Sequence, residues 1–232
     1  MIHAFFQRGL LRLVLFAGLA VMATACNFQY RAAVDPVEDE VQVWVVPNGQ
    51  TDYNHPVHLS SPEMTSILQE VRVQFKANWL QRLITGPLDS GPLFQKPIMA
   101  RVAFPLAEAL EKAGPRQRVV FYVAQRRTSD HRDVTSGSLF VQGRNLTIVL
   151  ANYQNRVDVI PGLRVYDRAS PEVAVAPQQF ALAFSKAEYV IDRKHNFVEG
   201  VLGMFEDAPP RLTVDYAQFL RDKSQSAAMS GR

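Results

Sequence analysis

A second thiol is what this chain lacks. Its 232 residues include one cysteine, Cys26, so no intrachain disulfide can form and the fold must rest on burial and hydrogen bonding. An excess of one charge sign is missing too. Lys and Arg number 25 against 22 Asp and Glu, and removing a leader that contains Arg8 and Arg12 brings the net charge of the remainder to +1. Such a balance gives no support to nucleic-acid binding, which wants a concentrated positive face. No phosphate-cradling G-x-x-x-x-G-K-[ST] or G-x-G-x-x-G occurs, so no nucleotide cofactor is expected. No serine sits in a G-x-S-x-G elbow. The apolar run from Leu13 to Met22 has ten residues, whereas a helix needs about 20 to cross a hydrocarbon core of roughly 30 Å.

What is present at the N-terminus has three zones. Arg8 and Arg12 form a basic start, Leu13 to Met22 an apolar centre, and Ala23, Thr24 and Ala25 a small-residue end, the order of a cleavable export signal. Cys26 follows directly. The stretch Ala23-Thr24-Ala25-Cys26 resembles the lipobox of bacterial lipoproteins, with Ala23 where Leu is preferred. The resemblance covers residues 1–26 only. It implies cleavage between Ala25 and Cys26, a diacylglyceryl group on the Cys26 thiol, and acylation of the new amino group. Two or three chains, each CH₂ contributing about 0.8 kcal/mol, hold a protein on a bilayer where one chain is marginal. Asn27 stands where Asp tends to retain such lipoproteins in the inner membrane, so the resemblance implies the outer membrane, facing the periplasm.

Beyond the anchor, the chain reads as four parts: leader 1–25, lipidated start and flexible tether 26–40, soluble domain 41–220, and a loose polar tail 221–232. Extended, the tether reaches up to about 45–50 Å. Hydrophobic content of 47% with 20% charged residues suits one globular domain.

Val41 to Val46 alternates and stops at Pro47-Asn48-Gly49, a strand and a turn. Ser60, Pro62 and Glu63 form a capping box with proline in the first turn. The apolar positions Met64, Ile67, Leu68, Val71, Phe75, Trp79 and Leu83 recur at three and four, predicting one amphipathic helix to about Ile84. A second helix is predicted from Ile98 to Ala113, bent or split at Pro105 and stopped by Gly114-Pro115.

The period then changes from 3.6 to 2. Val119 to Val123 predicts an inner strand, 128–137 a polar loop, and Leu139/Val141 with Leu146/Ile148/Leu150 a hairpin about Gln142-Gly143-Arg144-Asn145. Val157–Ile160, Leu163–Tyr166, Phe180–Phe184 and Leu212–Tyr216 are further strands. Phe121, Phe140, Phe180 and Phe184 are expected inside. The expected fold is α+β, a single domain with two N-terminal helices packed on a mostly antiparallel sheet.

Three groups of polar residues invite chemistry. His55 and His58 near Asp52 are residue types that zinc accepts, but no second pair completes a ligand set. Ser129-Asp130-His131-Arg132-Asp133 joins hydroxyl, acid and base, yet neighbours in sequence seldom converge on one reacting atom. Asp192-Arg193-Lys194-His195, near Glu188 and Glu199, reads as a solvated charge run. Asn145-Leu146-Thr147 matches a glycosylation sequon, which has no meaning in a bacterial route. The sequence thus leads to no catalytic residue, metal or cofactor. It leads to an envelope lipoprotein with a binding or scaffold domain, its partners being the membrane through Cys26 and an envelope protein. A lipid-anchored hydrolase using His131 or the His55/His58 loop is the alternative, and a carrier of an apolar ligand between the first helix and the sheet a third reading.

Overall fold

The computed structural model describes residues 29–31, 40–49, 52–75, 90–158, 170–191 and 209–230. Cys26 and Ala25, the candidate strand Leu163–Tyr166 and the run Asp192–His195 lie outside them. In chain order the elements are β1 (Gln29–Arg31), β2 (Glu40–Pro47), α1 (Ser61–Glu70), β3 (Val71–Phe75), β4 (Ser90–Pro92), α2 (Lys96–Lys112), β5 (Gln117–Arg126), β6 (His131–Gln142), β7 (Asn145–Asp158), β8 (Phe180–Phe184), a 3₁₀ turn (Ala187–Tyr189), β9 (Arg211–Asp215) and α3 (Tyr216–Ser230). The strands make a six-stranded sheet in the order β1-β2-β5-β6-β7-β9 and a three-stranded one in the order β4-β3-β8, every pairing antiparallel. The class is α+β. The two expected N-terminal helices are not found among the described residues: the first described elements are strands β1 and β2, α1 and α2 sit in the middle of the chain, and a third described helix follows near its end.

Alternation explains the inner face of the large sheet. Val41, Val43 and Val45 of β2, Val119, Phe121 and Val123 of β5, Leu139 and Val141 of β6, and Leu146, Ile148 and Leu150 of β7 are all buried and belong to one core. Their period of two puts them on one side. Against them α2 lays Ile98, Met99, Val102, Ala103, Leu106 and Leu110, spaced at three and four. The helix runs unbroken through Pro105. The small sheet joins the same core through Val71, Val73, Phe180, Leu182 and Phe184. At about 25 cal/mol per Å², this burial is the main favourable term. Met64, Ile67 and Leu68 of α1 pack into it as well, where the third reading put an apolar cavity.

The first helix is shorter than its stripe. Ser60 and Glu63 do form the reciprocal capping box, but α1 ends at Glu70 and Val71 is already extended. Residues 71 and 75 satisfy both periods, i and i+4 of a helix or one face of a strand. Tertiary pairing decides between them: Val71 to Phe75 register against Phe184 to Phe180, and β-branched Val71 and Val73 suit that pleat.

Other differences have similar causes. The expected polar loop 128–137 is mostly β6, in which the short side chains Thr135 and Ser136 are buried. The strands expected at 146–150 and from 157 are one strand, β7, which irregularities opposite Val134–Gly137 bend without breaking. Gln154 carries the offset with a φ of 47°. Phe140 is half-buried and stacks on Tyr53 at 4.5 Å, whereas Phe121, Phe180 and Phe184 are inside. Residues 221–230, expected loose, continue α3. Asp215 Oδ1 accepts the Gln218 N–H to cap that helix, and Phe219 anchors it between Phe184 and Tyr189. Gln29–Arg31, placed in the tether by the sequence, pairs with Trp44–Gln42.

The β6–β7 turn forms as read, with Gln142 opposite Asn145 and Gly143 at φ +61°, the positive φ that II′ turns need at their first central residue. Gly137 is required for a different reason. A Cβ there would lie 2.1 Å from the Val149 carbonyl oxygen and 3.0 Å from Leu150 Cα. Gly137→Ala is therefore expected to lose about 1–3 kcal/mol by forcing β6 from β7, while Gly49→Ala, with open space around it, stays within about 0.5 kcal/mol. Urea titration of the two variants measures both.

Candidate functional site

The outer face of the large sheet is built differently. A small apolar cluster of Tyr122, Ala124 and Val134, with Trp44 and Val157 against it, occupies part of it. Polar Ser136, Asn152 and Asn155 are buried there as well. Buried polar groups must find partners, and these find them in residues 170–178, a strap without regular structure that crosses the face.

Asn152 is the centre of the attachment. Its Nδ2 donates to Ser136 Oγ and to the Val173 carbonyl, each at 2.9 Å, and its Oδ1 accepts the Val175 N–H at 2.8 Å and Asn155 Nδ2 at 3.2 Å. The side chain thus uses both donors and both acceptor sites. Ser136 Oγ donates to the Pro171 carbonyl at 2.6 Å, and Asn155 Nδ2 to the Ala176 carbonyl at 3.3 Å. Gln178 mimics a strand partner for Tyr153: its Oε1 accepts the Tyr153 N–H at 3.0 Å and its Nε2 donates to the Tyr153 carbonyl at 2.9 Å.

At the near end the strap is held by charge. Arg118 Nε and Nη2 donate to the two carboxylate oxygens of Glu172, both at 2.7 Å, and Nη1 donates to Asn48 Oδ1 at 2.7 Å. This fork is the geometry in which guanidinium and carboxylate pair most tightly. The Glu172 hydrogen bond raises the Arg118 pKa above its ordinary value, against the opposing effect of burial. With the backbone so clamped, Val173 and Val175 are left outward, 61% and 42% exposed. The arrangement leaves two apolar side chains outward on a hydrogen-bonded polar base.

The groups singled out in the sequence go to separate places. Asp52 pairs with Arg116 at 3.0 Å and His58 with Glu111 at 3.2 Å, all well exposed. His55 is buried, its Nε2 accepting the Val141 N–H at 3.1 Å. Asp52, His55 and His58 therefore do not form a ligand set, and among the described residues no three His, Cys, Asp or Glu converge on a metal position. His131 stands at the opposite end of β6, with Nδ1 at 3.2 Å from Thr128 Oγ1 and Nε2 at 3.3 Å from Asp158 Oδ1. The Thr128 hydroxyl oxygen also accepts the His131 and Asp130 N–H groups, which makes it a turn residue of the β5–β6 hairpin. His131 and Val141 are ten positions apart along β6, roughly 33 Å, so the two histidine regions share no reacting point. Asp133 binds Arg127, and Arg132 is buried. Thr147 of the sequon is buried with its hydroxyl on Thr213, and Glu188 lies exposed in the 3₁₀ turn.

No family model, curated protein or solved structure matches this chain. The functional reading therefore stands on its own residues.

Sequence reasoning missed Arg118, Ser136, Asn152, Glu172 and Gln178. A signal was present in two of them: Ser136 and Asn152 interrupt strands at positions facing away from the apolar row, where a solvated face would carry longer, charged side chains.

Two outcomes follow. Asn152→Ala leaves buried partners unpaired and should cost about 1–3 kcal/mol, with hydrogen exchange of the Val175 amide rising more than that of the Phe121 amide. Burial lowers the His55 pKa below its ordinary value of 6.5, opposed by the Gln117 and Gly114 backbone. Stability from neutral His55 is therefore fully present above pH 6.5 and falls as the pH drops toward the folded-state value. His55→Gln keeps an acceptor near Nε2 but does not titrate, so the acid-side loss in chemical denaturation should shrink in that variant.

Proposed function

We propose that this chain is a bacterial envelope lipoprotein, exported on residues 1–25, cut before Cys26, lipid-anchored there, and carrying a periplasm-facing domain that binds or scaffolds an envelope protein. The observation that carries the reading is Ala23-Thr24-Ala25-Cys26 placed directly after a short apolar run, with the only cysteine of the chain at the expected position. A lone thiol in an exported protein has no intrachain partner, and lipidation gives it a use. Asn27 in place of Asp supports the outer membrane. Support for a binding role comes from the strap, where Val173 and Val175 are held outward by a fully hydrogen-bonded base.

Membrane fractionation with intact-mass measurement tests the anchor. Wild type should sediment with membranes and carry the mass of a diacylglyceryl group and a further acyl chain on residue 26, and Cys26→Ser should remain unlipidated and lose that association. A wild-type protein recovered from the soluble periplasm with a bare thiol would end the proposal.

The contact surface has its own test. Envelope crosslinking should give one dominant protein partner, and the double variant Val173→Asp, Val175→Asp should lose it while unfolding within about 0.5 kcal/mol of wild type. Crosslinking that is unchanged by the two aspartates would remove the strap from the reading.

A further inference from the structure

The strap is held by its backbone more than by its side chains. Val173, Ala174, Val175, Ala176 and Pro177 are all exposed, so the sheet does not select them by shape. What it binds is four main-chain groups. Ser136 Oγ donates to the Pro171 carbonyl, Asn152 donates to the Val173 carbonyl and accepts the Val175 N–H, and Asn155 donates to the Ala176 carbonyl. Two side chains are added at the near end: the buried Pro171 ring and the Glu172 carboxylate in the Arg118 fork.

These receiving groups are not particular to this segment. Any extended stretch of polypeptide carries the same carbonyls and N–H groups, and Asp or Glu supplies the carboxylate. Main-chain hydrogen bonds for affinity and one side-chain site for specificity is how extended peptides are recognised. Opening of the strap by itself is unfavourable, because Ser136, Asn152 and Asn155 are buried and would lose their partners together with Arg118. Exchange is different. An incoming segment restores each bond as the strap leaves, and beyond Pro171 almost no apolar contact is broken, since the valines already face outward. A segment with few buried apolar contacts is also the kind that opens locally.

We propose that this part of the outer face is a peptide-binding site occupied by the chain's own strap, and that an extended segment of a partner protein, with a carboxylate where Glu172 sits, displaces it. Arg118 selects the acid and Asn152 clamps the backbone. The inference needs no lipid on Cys26. It goes beyond contact through Val173 and Val175, because it uses the side of the strap that faces away from them.

The probe is a peptide with the sequence of residues 170–178, Ser-Pro-Glu-Val-Ala-Val-Ala-Pro-Gln, carrying an N-terminal fluorophore and a C-terminal amide. Anisotropy is titrated with the full wild-type chain and with Glu172→Gln, which loosens the strap's own hold on Arg118 and leaves the sheet side intact. Glu172→Gln protein should bind the peptide about tenfold more tightly than wild type, the effect of one charge-assisted pair. A peptide with Gln in place of its Glu should bind that protein about tenfold more weakly. Arg118→Gln added to Glu172→Gln should make the two peptides equal, a ratio that a general loss of stability would not produce. Val173→Asp and Val175→Asp added to Glu172→Gln should leave peptide binding unchanged, so this site and the outward contact surface fail separately. No saturable binding by Glu172→Gln protein, or equal binding of the Glu and Gln peptides by it, overturns the site. A dimer of the full chain that the peptide dissociates assigns the face to the strap of a second copy and overturns the partner protein.

Discussion

Every feature of this domain depends on one constraint, that a strand has two faces and only one can meet the helices. Alternate residues of β2, β5, β6 and β7 are committed to the core with α1 and α2, and the residues between them necessarily point the other way. An antiparallel sheet can leave that second face to water. Here it is covered instead, and the covering segment has no regular structure of its own. Its backbone groups need partners that are not ladder partners, and the sheet supplies them as side chains. Ser136, Asn152 and Asn155 take the place of ladder partners for the strap, and Gln178 does the reverse from the strap by bonding both backbone groups of Tyr153.

That substitution has an energetic consequence. A side-chain hydrogen bond contributes about 1 kcal/mol net, but leaving a buried partner unsatisfied costs about 1–3 kcal/mol. A network in which Asn152 serves two donors and two acceptors is therefore strongly specified in geometry without adding much stability. The strap has one conformation because the alternatives strand polar atoms. Arg118 and Glu172 act similarly at its end: the paired groups are each about 70% buried as side chains, where desolvation offsets much of the attraction and orientation is what remains.

Much of this fold was legible where a single period dominates. Val41–Val46, Val119–Val123, Phe180–Phe184 and the Gly143 turn follow from alternation and turn chemistry, and the Ser60–Glu63 box fixes where α1 begins. The end of α1 was not legible, because Val71 and Phe75 fit both a helix stripe and a strand face and the deciding partner, β8, lies more than a hundred residues away. The loop reading of 128–137 failed for a related reason. Thr135 and Ser136 have the composition of a turn, yet Ser136 is covered by a strap that sequence does not announce and Thr135 accepts the Gln154 N–H of β7. Local pattern also passed over β1, three residues whose pairing is with β2 across an intervening segment. The strap itself carries no periodicity, so neither it nor Arg118 could have been found without the contacts.

Where the strands fall keeps the strap apart from the chain's entry into the sheet. The strap is attached to β6 and β7 on the outer face, while α2 lies on the inner face and β1 forms one edge. From β1 to β6 is three strand spacings, roughly 14 Å. Under the proposed lipidation of Cys26, the three residues from there to Gln29 span at most about 11 Å, so the β1 edge would be held close to the bilayer and the strap set back from it. A partner in the same membrane would then meet Val173 and Val175 at a raised effective concentration, whereas a free tether of residues 27–40 would leave anchor and strap independent.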